Sequence, residues 1–361
     1  METMGFRCLI LAGVVACVSP PAGGAGGGGA GSRAEPGHFV FRGGRLPGGR
    51  AADVEVRSGK IVAVGTIESD APDVDIAGKT LAPAFIDSHV HLAYLPASAE
   101  HLRGGVAAVV DLGSPMETLE IDERLLIVQS GPFITGPGGY PTQTWGANGY
   151  GVECEAVACL RATVVRLGLS GAGVIKLAVT GSELDDHALK ATVLQAHMSK
   201  LRVAGHAIAS DDVVRAAFAG VDILAHTPVE KLSRHAIDQW ATGPVITTLV
   251  AFGAGDAAID NLRRLRERGA LVLYGTDLGN TSTTGISADE IRAMQRAGMT
   301  GSEIVKAGTT VPAAYWRFRA LGTIAPGYAA SVLVLSADPY DDPVTLASPL
   351  AVYVAGERVD L

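Results

Sequence analysis

The chain has 361 residues, which at about 150 residues per domain means two or three ordinary domains, or one large barrel with attachments. With 48% hydrophobic, 18% charged and 5% aromatic residues, it is an Ala/Val/Leu-rich globular sequence, not a disordered or coiled-coil one. Its 29 Lys and Arg stand against 37 Asp and Glu, for a net charge of -8. The basic residues are scattered and form no stripe that could track phosphates, so nucleic acid is not an expected partner.

Residues 1–17, METMGFRCLILAGVVAC, place Arg7 ahead of an apolar run from Cys8 to Ala16 that ends in small residues, the form of an export signal. About nine apolar residues are too few to cross a bilayer, which takes about 20. The ending Val14-Val15-Ala16-Cys17 resembles a bacterial lipobox, with Val14 where Leu is usual. Three readings stay open: a lipoprotein whose mature N-terminus is a lipidated Cys17, plain secretion, and an unprocessed apolar end. The expected location is export to the periplasm or lipid anchoring at a bacterial membrane, with no other membrane contact. Residues 18–37 are Gly-rich, bury almost nothing and cost maximal backbone entropy to order, so they read as a flexible tether. Cys154 and Cys159, five apart on an expected helix, would point to different faces, and the expectation is two buried free thiols.

From His38 to residue 80, short alternating runs such as FVFR, DVEVR and KIVAVG are broken by Gly and Pro, the pattern of a small antiparallel sheet. A second all-β stretch closes the chain, with SVLVLS at 331–336 and AVYVAGERV at 351–359. The two stretches could share one sheet, and the expected small β-sandwich domain is built from residues 38–80 and 321–361.

Between them, over residues 81–320, strand-like runs alternate with helical segments. The runs lie at 82–89, 107–112, 132–135, 174–177, 202–206, 222–226, 245–249 and 270–277. Helical stretches such as Asp186–Ser199, Asp211–Ala219, Asp256–Arg268 and Ala288–Ala297 open on Asp or small residues suited to a helix start. Eight βα units in about 230 residues predict an α/β fold, a (β/α)8 TIM barrel.

Polar residues then fall in one kind of place. His89 and His91 end the first strand, Lys176 lies in the fourth, His206 ends the fifth, His226 the sixth and Asp277 the eighth. Strand C-termini of such a barrel converge on one face, and two strand residues two apart point the same way, so His89 and His91 can offer nitrogens to one cation. Each alone has a plainer reading: a His held by a carbonyl, an Asp capping the next helix. Lys176 inside VIKL is harder to explain, because a buried ammonium loses several kcal/mol of hydration and that strand offers it no partner.

The H-x-H after FIDS, the strand-four Lys, the single His on strands five and six and the Asp of YGTD resemble the amidohydrolase superfamily. Within it, the chain is similar to the metal-dependent prolidases and imidazolonepropionase-like hydrolases, over roughly residues 38–361. The supporting segments are GVAAVVDLGSP, SGPFITGPGGY, GTDLGNT and GTIAPGYAASVLVL. The resemblance implies that Lys176 adds CO2 to become a carbamate bridging two cations. His89, His91 and Asp277 would hold one and His206 and His226 the other, with Zn2+ the default and Mn2+ or Co2+ possible. It further implies attack on an amide or peptide-like C–N bond by a metal-bridging hydroxide, with Asp277 as proton carrier. The small-molecule substrate would be an Xaa-Pro dipeptide or an N-acyl amino acid.

Two alternatives accompany this reading. The first is a one-metal deaminase or cyclic-amidine hydrolase, which typically carries Glu three residues after the strand-five His, where this chain has Ala209. The second is a surface-anchored binding protein that kept the barrel and lost catalysis. Tyr140, after Pro137-Gly138-Gly139, either reaches into the mouth as a hydrogen-bond donor to substrate or only covers a tight turn. Val110 stands where relatives commonly have Arg, and no residue is apparent for binding a substrate carboxylate. His101, His187, His197 and His235, on helical segments, read as solvated or capping. Oligomeric state is not legible.

Overall fold

The computed structural model describes residues 37–116 and 122–360. The leader, almost all of the tether and Cys17 lie outside the described residues. No helix among them is long and apolar enough to cross a membrane.

A ring of eight strands forms the centre of a (β/α)8 barrel. They are Phe85–Val90, Val106–Asp111, Leu126–Gln129, Val174–Ala178, Arg202–His206, Ile223–Leu224, Val245–Ile246 and Val272–Leu273. Neighbouring strands pair in parallel around the ring. The ring closes where Ser88 N–H donates to the Tyr274 carbonyl at 2.9 Å and His91 N–H to the Leu278 carbonyl at 2.7 Å. The third wall position is split: Leu126–Gln129 pairs with the second strand, while Phe133–Thr135 pairs with the fourth and with a short strand at Gly151–Glu153. The sequence expectation at 132–135 therefore captured only the second half. The half it missed, Leu126–Gln129, is as apolar in sequence but not fully buried, with Leu126 exposed.

Inward-facing Ile86, Ala108, Val110, Val174, Ala204, Ile223, Ile246 and Leu273 fill the barrel as one apolar cluster plugged by Trp316 and Phe318. Val110 is a packing residue of this cluster, without exposure. Because side chains alternate along a strand, Lys176 points inward two residues after Val174, and His206 does so two residues after Ala204. The outer helices start where short polar side chains satisfy free amides: Asp185 accepts from Ala188 N–H, Ser233 from Ala236 N–H and Ser287 from Glu290 N–H, each such cap contributing about 1 kcal/mol. The first crossover is brief, a single helix at Ser98–Arg103.

The flanking β segments do not share one sheet. Residues 38–75 form a four-stranded sheet of their own. The C-terminal strands Val332–Leu335, Ala351–Val354 and Glu357–Val359 pair instead with Thr80–Pro83. Phe41, Val54, Val56 and Ile61 of the first sheet and Leu81, Val332, Val334 and Tyr353 of the second bury one common apolar cluster.

The cysteines also depart from expectation. Cys154 precedes the helix Val157–Leu169 and only Cys159 lies on it. The pair is therefore not related by helical geometry, and it forms a disulfide across a Cα–Cα distance of 5.4 Å. Cys154 is buried and Cys159 exposed.

Candidate metal centre

The six polar residues named from the strand ends converge in one buried cluster: His89, His91, Lys176, His206, His226 and Asp277 are each at most 3% exposed. Lys176 Nζ lies 3.3 Å from His89 Nε2 and 4.8 Å above the centre of the Phe133 ring. Asp277 Oδ1 is 3.0 Å from His91 Nε2 and 3.6 Å from His89 Nε2. Its Oδ2 is 3.9 Å from His226 Nδ1. The His206 and His226 ring centres are 4.9 Å apart, and those of His226 and His89 4.5 Å.

The imidazoles are held by their far sides. His89 Nδ1 meets the Ala225 carbonyl at 2.7 Å and His91 Nδ1 the Gly113 carbonyl at 3.3 Å. A carbonyl accepts only from a protonated nitrogen, so the Nε2 lone pairs of His89 and His91 face the cluster. His226 Nδ1 contacts Thr248 Oγ1 at 3.0 Å. His206 Nδ1 is buried with no partner among the described residues. An orphaned buried imidazole nitrogen costs free energy unless something completes it, and a cation is what a cluster of convergent nitrogens and carboxylate oxygens accepts. Donor atoms of His89, His91 and Asp277 lie within 4.8 Å of one another, so the donor set fits divalent metal.

Burial sets the protonation states. It pushes the Lys176 ammonium down to about 7 against the partial support of Asp277 and Asp111. It drives His206 down to about 3, with Lys176 adding to the effect, and lowers His89 and His226 well below the ordinary imidazole value. For Asp277, burial acts upward, but His89, the His91 hydrogen bond and His226 outweigh it, holding the carboxyl well below its usual range. Burial thus favours the neutral forms of His89, Lys176, His206 and His226 beside one carboxylate, the state in which such groups ligate metal.

The backbone is shaped for this arrangement. Asp277 has φ of 57°, a left-handed conformation uncommon outside Gly, Asn and Asp. It is held by Asp277 N–H donating to the His89 carbonyl at 2.8 Å, and Asn280 Nδ2 donates to Asp277 Oδ1 at 3.0 Å. Gly279, at φ of 117°, lets the chain pass so close that an added Cβ would sit 2.8 Å from His91 Cβ.

Tyr140 lies in the mouth, its ring stacked on His206 at 4.4 Å. Its hydroxyl accepts from Trp145 Nε1 at 3.0 Å, and burial raises it to about 12, so it stays a neutral donor. Ala209, where a deaminase-type acid would stand, caps the helix Ser210–Ala219 without a side-chain bond. Three buried acids escaped the sequence reading: Asp87, Asp111 and Glu290. Asp111 accepts from Leu92 N–H at 2.7 Å and from Ser114 Oγ, bracing the turn after His91. His101 is fully buried against Asp87 instead of solvated. His38 and His197 pair with Glu55 and Asp222 at the surface.

A strand-end cluster of this kind defines a metal-dependent barrel hydrolase, and comparison with known proteins gives it a family. The profile of the Amidohydrolase family matches residues 80–359. An uncharacterized protein of Mycobacterium tuberculosis is 28% identical over 369 residues, covering 87% of this chain and 94% of that protein. Among solved structures, a Xaa-Pro dipeptidase with methionine bound in its active site superposes with a TM-score of 0.77 at 19% identity, over 90% of this chain and 100% of that one. A putative prolidase from Bifidobacterium longum gives 0.73 at 22% identity, over 89% and 94%. The chain belongs to the amidohydrolase family and is a hydrolase acting on carbon–nitrogen bonds.

Proposed function

We propose that this protein hydrolyses an amide or peptide-like C–N bond at a pair of divalent cations, zinc by default and manganese or cobalt as alternatives. His89, His91 and Asp277 hold one cation, His206 and His226 the other. The observation that carries the reading is Lys176: fully buried, 3.3 Å from an imidazole nitrogen, with an amine driven toward neutrality. A neutral amine can add CO2, losing a proton, to give a carbamate that would offer oxygen ligands to divalent metal, so burial favours the group the site needs.

Divalent cations held by these residues would supply polarisation of the scissile carbonyl and a more acidic water. Asp277, oriented by Asn280, takes the proton of the attacking water at its carboxylate and returns it to the departing amine nitrogen, so one water yields a carboxylic acid and an amine. Tyr140 donates its hydroxyl proton toward the carbonyl oxygen side of the substrate. Xaa-Pro dipeptides and N-acyl amino acids are the first probes of this class.

The experiment is metal analysis with turnover of Xaa-Pro dipeptides and N-acyl amino acids by zinc- or manganese-loaded protein. Two equivalents per chain and hydrolysis support the reading. One equivalent with ammonia release instead supports a deaminase, and a metal-free, inactive protein a binding role. We also propose that the two flanking sheets make a β-sandwich domain, and that the chain is exported, with Cys17 as a candidate lipid anchor. Mass spectrometry of the mature N-terminus tests the latter.

A further inference from the structure

In a chain only 5% aromatic, aromatic rings crowd the metal cluster. Trp145 stands 5.1 Å from the His91 ring and 5.6 Å from Phe133. Tyr94 and Tyr150 lie edge-on to it at 5.8 Å and 5.9 Å. On the opposite side, Phe252 stands 5.1 Å from His226. Tyr94 and Phe252 remain 48% and 37% exposed, so apolar area at the mouth is still uncovered.

The charge pattern is equally one-sided. Among the described residues, no Arg or Lys except Lys176 hydrogen-bonds or ion-pairs with the convergent cluster, and none but Lys176 stands over a ring of this lip. On the segment after the sixth strand Lys231 is exposed, and Arg234, the first residue of the helix that follows, turns to Asp238 with its side chain 88% exposed. The Tyr140 hydroxyl already accepts from Trp145, and its own proton has no protein acceptor among the described residues. A dipeptide or N-acyl amino acid brings a carboxylate into this mouth, and burying that charge with no Arg or Lys paired to it is costly. A flat neutral group instead gains stacking and edge contacts with the rings, together with the area it removes from water.

Building on the amide-hydrolase reading above, we infer that the preferred substrate is a neutral amide carrying an aryl group, seated against Trp145 and Tyr94. A carboxylate next to the scissile bond contributes nothing to its recognition. Tyr140 serves such a substrate as the donor to its carbonyl oxygen. Hydrolysis adds one water across the C–N bond and releases a carboxylic acid and an amine.

The test compares acetanilide and N-benzoylglycinamide with N-acetylglycine and glycyl-proline on metal-loaded protein. The expected result is at least a tenfold higher kcat/KM for the aryl amides. A preference for the two charged aliphatic compounds overturns this inference and leaves the hydrolase reading standing, whereas cleavage of none defeats both. Trp145→Ala and Tyr94→Ala are each expected to raise KM for the aryl probes about tenfold while kcat changes less. An equal loss across all four compounds, with KM unmoved, would assign these rings a structural role and overturn the inference.

A binding readout stands apart from turnover. The other two tryptophans, Trp240 and Trp316, are buried, so titration with benzyl alcohol is expected to change the fluorescence of the intact protein through Trp145 and to leave the Trp145→Phe variant unchanged. A flat wild-type titration counts against aryl binding whatever the protein hydrolyses.

Discussion

His101 Nε2 lies 3.2 Å from Asp87 Oδ2, with both side chains fully buried. Through this contact a residue of the first crossover helix reaches under the metal cluster. Asp87 also accepts from His89 N–H at 3.0 Å, from Thr276 N–H at 3.1 Å and from Thr276 Oγ1 at 2.6 Å. One carboxylate thus ties the strand bearing His89 and His91 to the strand bearing Asp277. His101 Nδ1 in turn accepts from Gly285 N–H at 2.9 Å, anchoring the loop after Asp277. His101→Ala leaves the buried Gly285 N–H without its acceptor and Asp87 with one bond fewer, and is expected to lower unfolding free energy by about 2–3 kcal/mol. Metal affinity should fall with it, while His101→Gln recovers part of both. Urea unfolding and metal titration of the two variants check this.

Lys176→Ala removes the amine proposed to become the bridge. The expected outcome is a folded protein with at most one metal equivalent and turnover reduced at least about 100-fold. Its unfolding free energy should be maintained or raised, because a costly buried group has gone. Metal analysis, circular dichroism and amide-hydrolysis assays supply the three readouts. Two retained equivalents with full activity would remove the carbamate from the mechanism.

Glu290 couples stability to pH from outside the cluster. It accepts from Leu249 and Val250 N–H, each at 2.8 Å, yet burial prevails and raises its carboxyl from 4.5 to about 7. A carboxyl raised in the folded state stabilises fully below its unfolded value, and the contribution is lost as pH climbs through the folded one. Stability should fall between pH 4.5 and about 7, by about 2–3 kcal/mol from this group. Glu290→Gln should flatten that decline, as measured by urea midpoints at intervals across the window.

Gly279→Ala places a Cβ against His91 Cβ at a φ that side chains rarely adopt. A cost of about 1–3 kcal/mol follows. Because the displaced residue is proposed as a metal ligand, metal content should drop more than the melting temperature suggests.

Reduction of the disulfide opens a loop of sequence separation 5, for which chain entropy gives about 2 kcal/mol. Dithiothreitol should lower the melting temperature of wild type and leave a Cys154→Ser/Cys159→Ser variant unaffected.

The six convergent residues were legible because five sit at or just past the end of an apolar strand and Lys176 inside one, where a polar residue has few other reasons to be. The barrel was legible for the same reason, since buried parallel strands read as uninterrupted apolar runs. The bracing carboxylates were not. Asp87 and Asp111 look like ordinary strand-end acids, and Glu290 sits in the first turn of a helix, where acidic residues are common. Only the folded ring shows that their partners are backbone amides 19 to 189 positions away. The disulfide was missed because helix geometry was extended back to Cys154, which lies just outside the helix. The split third strand was missed because its first half, ending in Gln129, faces the rim.

Asp277 N–H bonds to the His89 carbonyl, and His91 N–H to that of Leu278, so the seam that joins the two ends of the barrel runs through the candidate metal centre itself. A chain emerging end first has its two histidines long before the aspartate that completes their set. Until the last strand docks, the His89, His91 and Asp277 set stays incomplete.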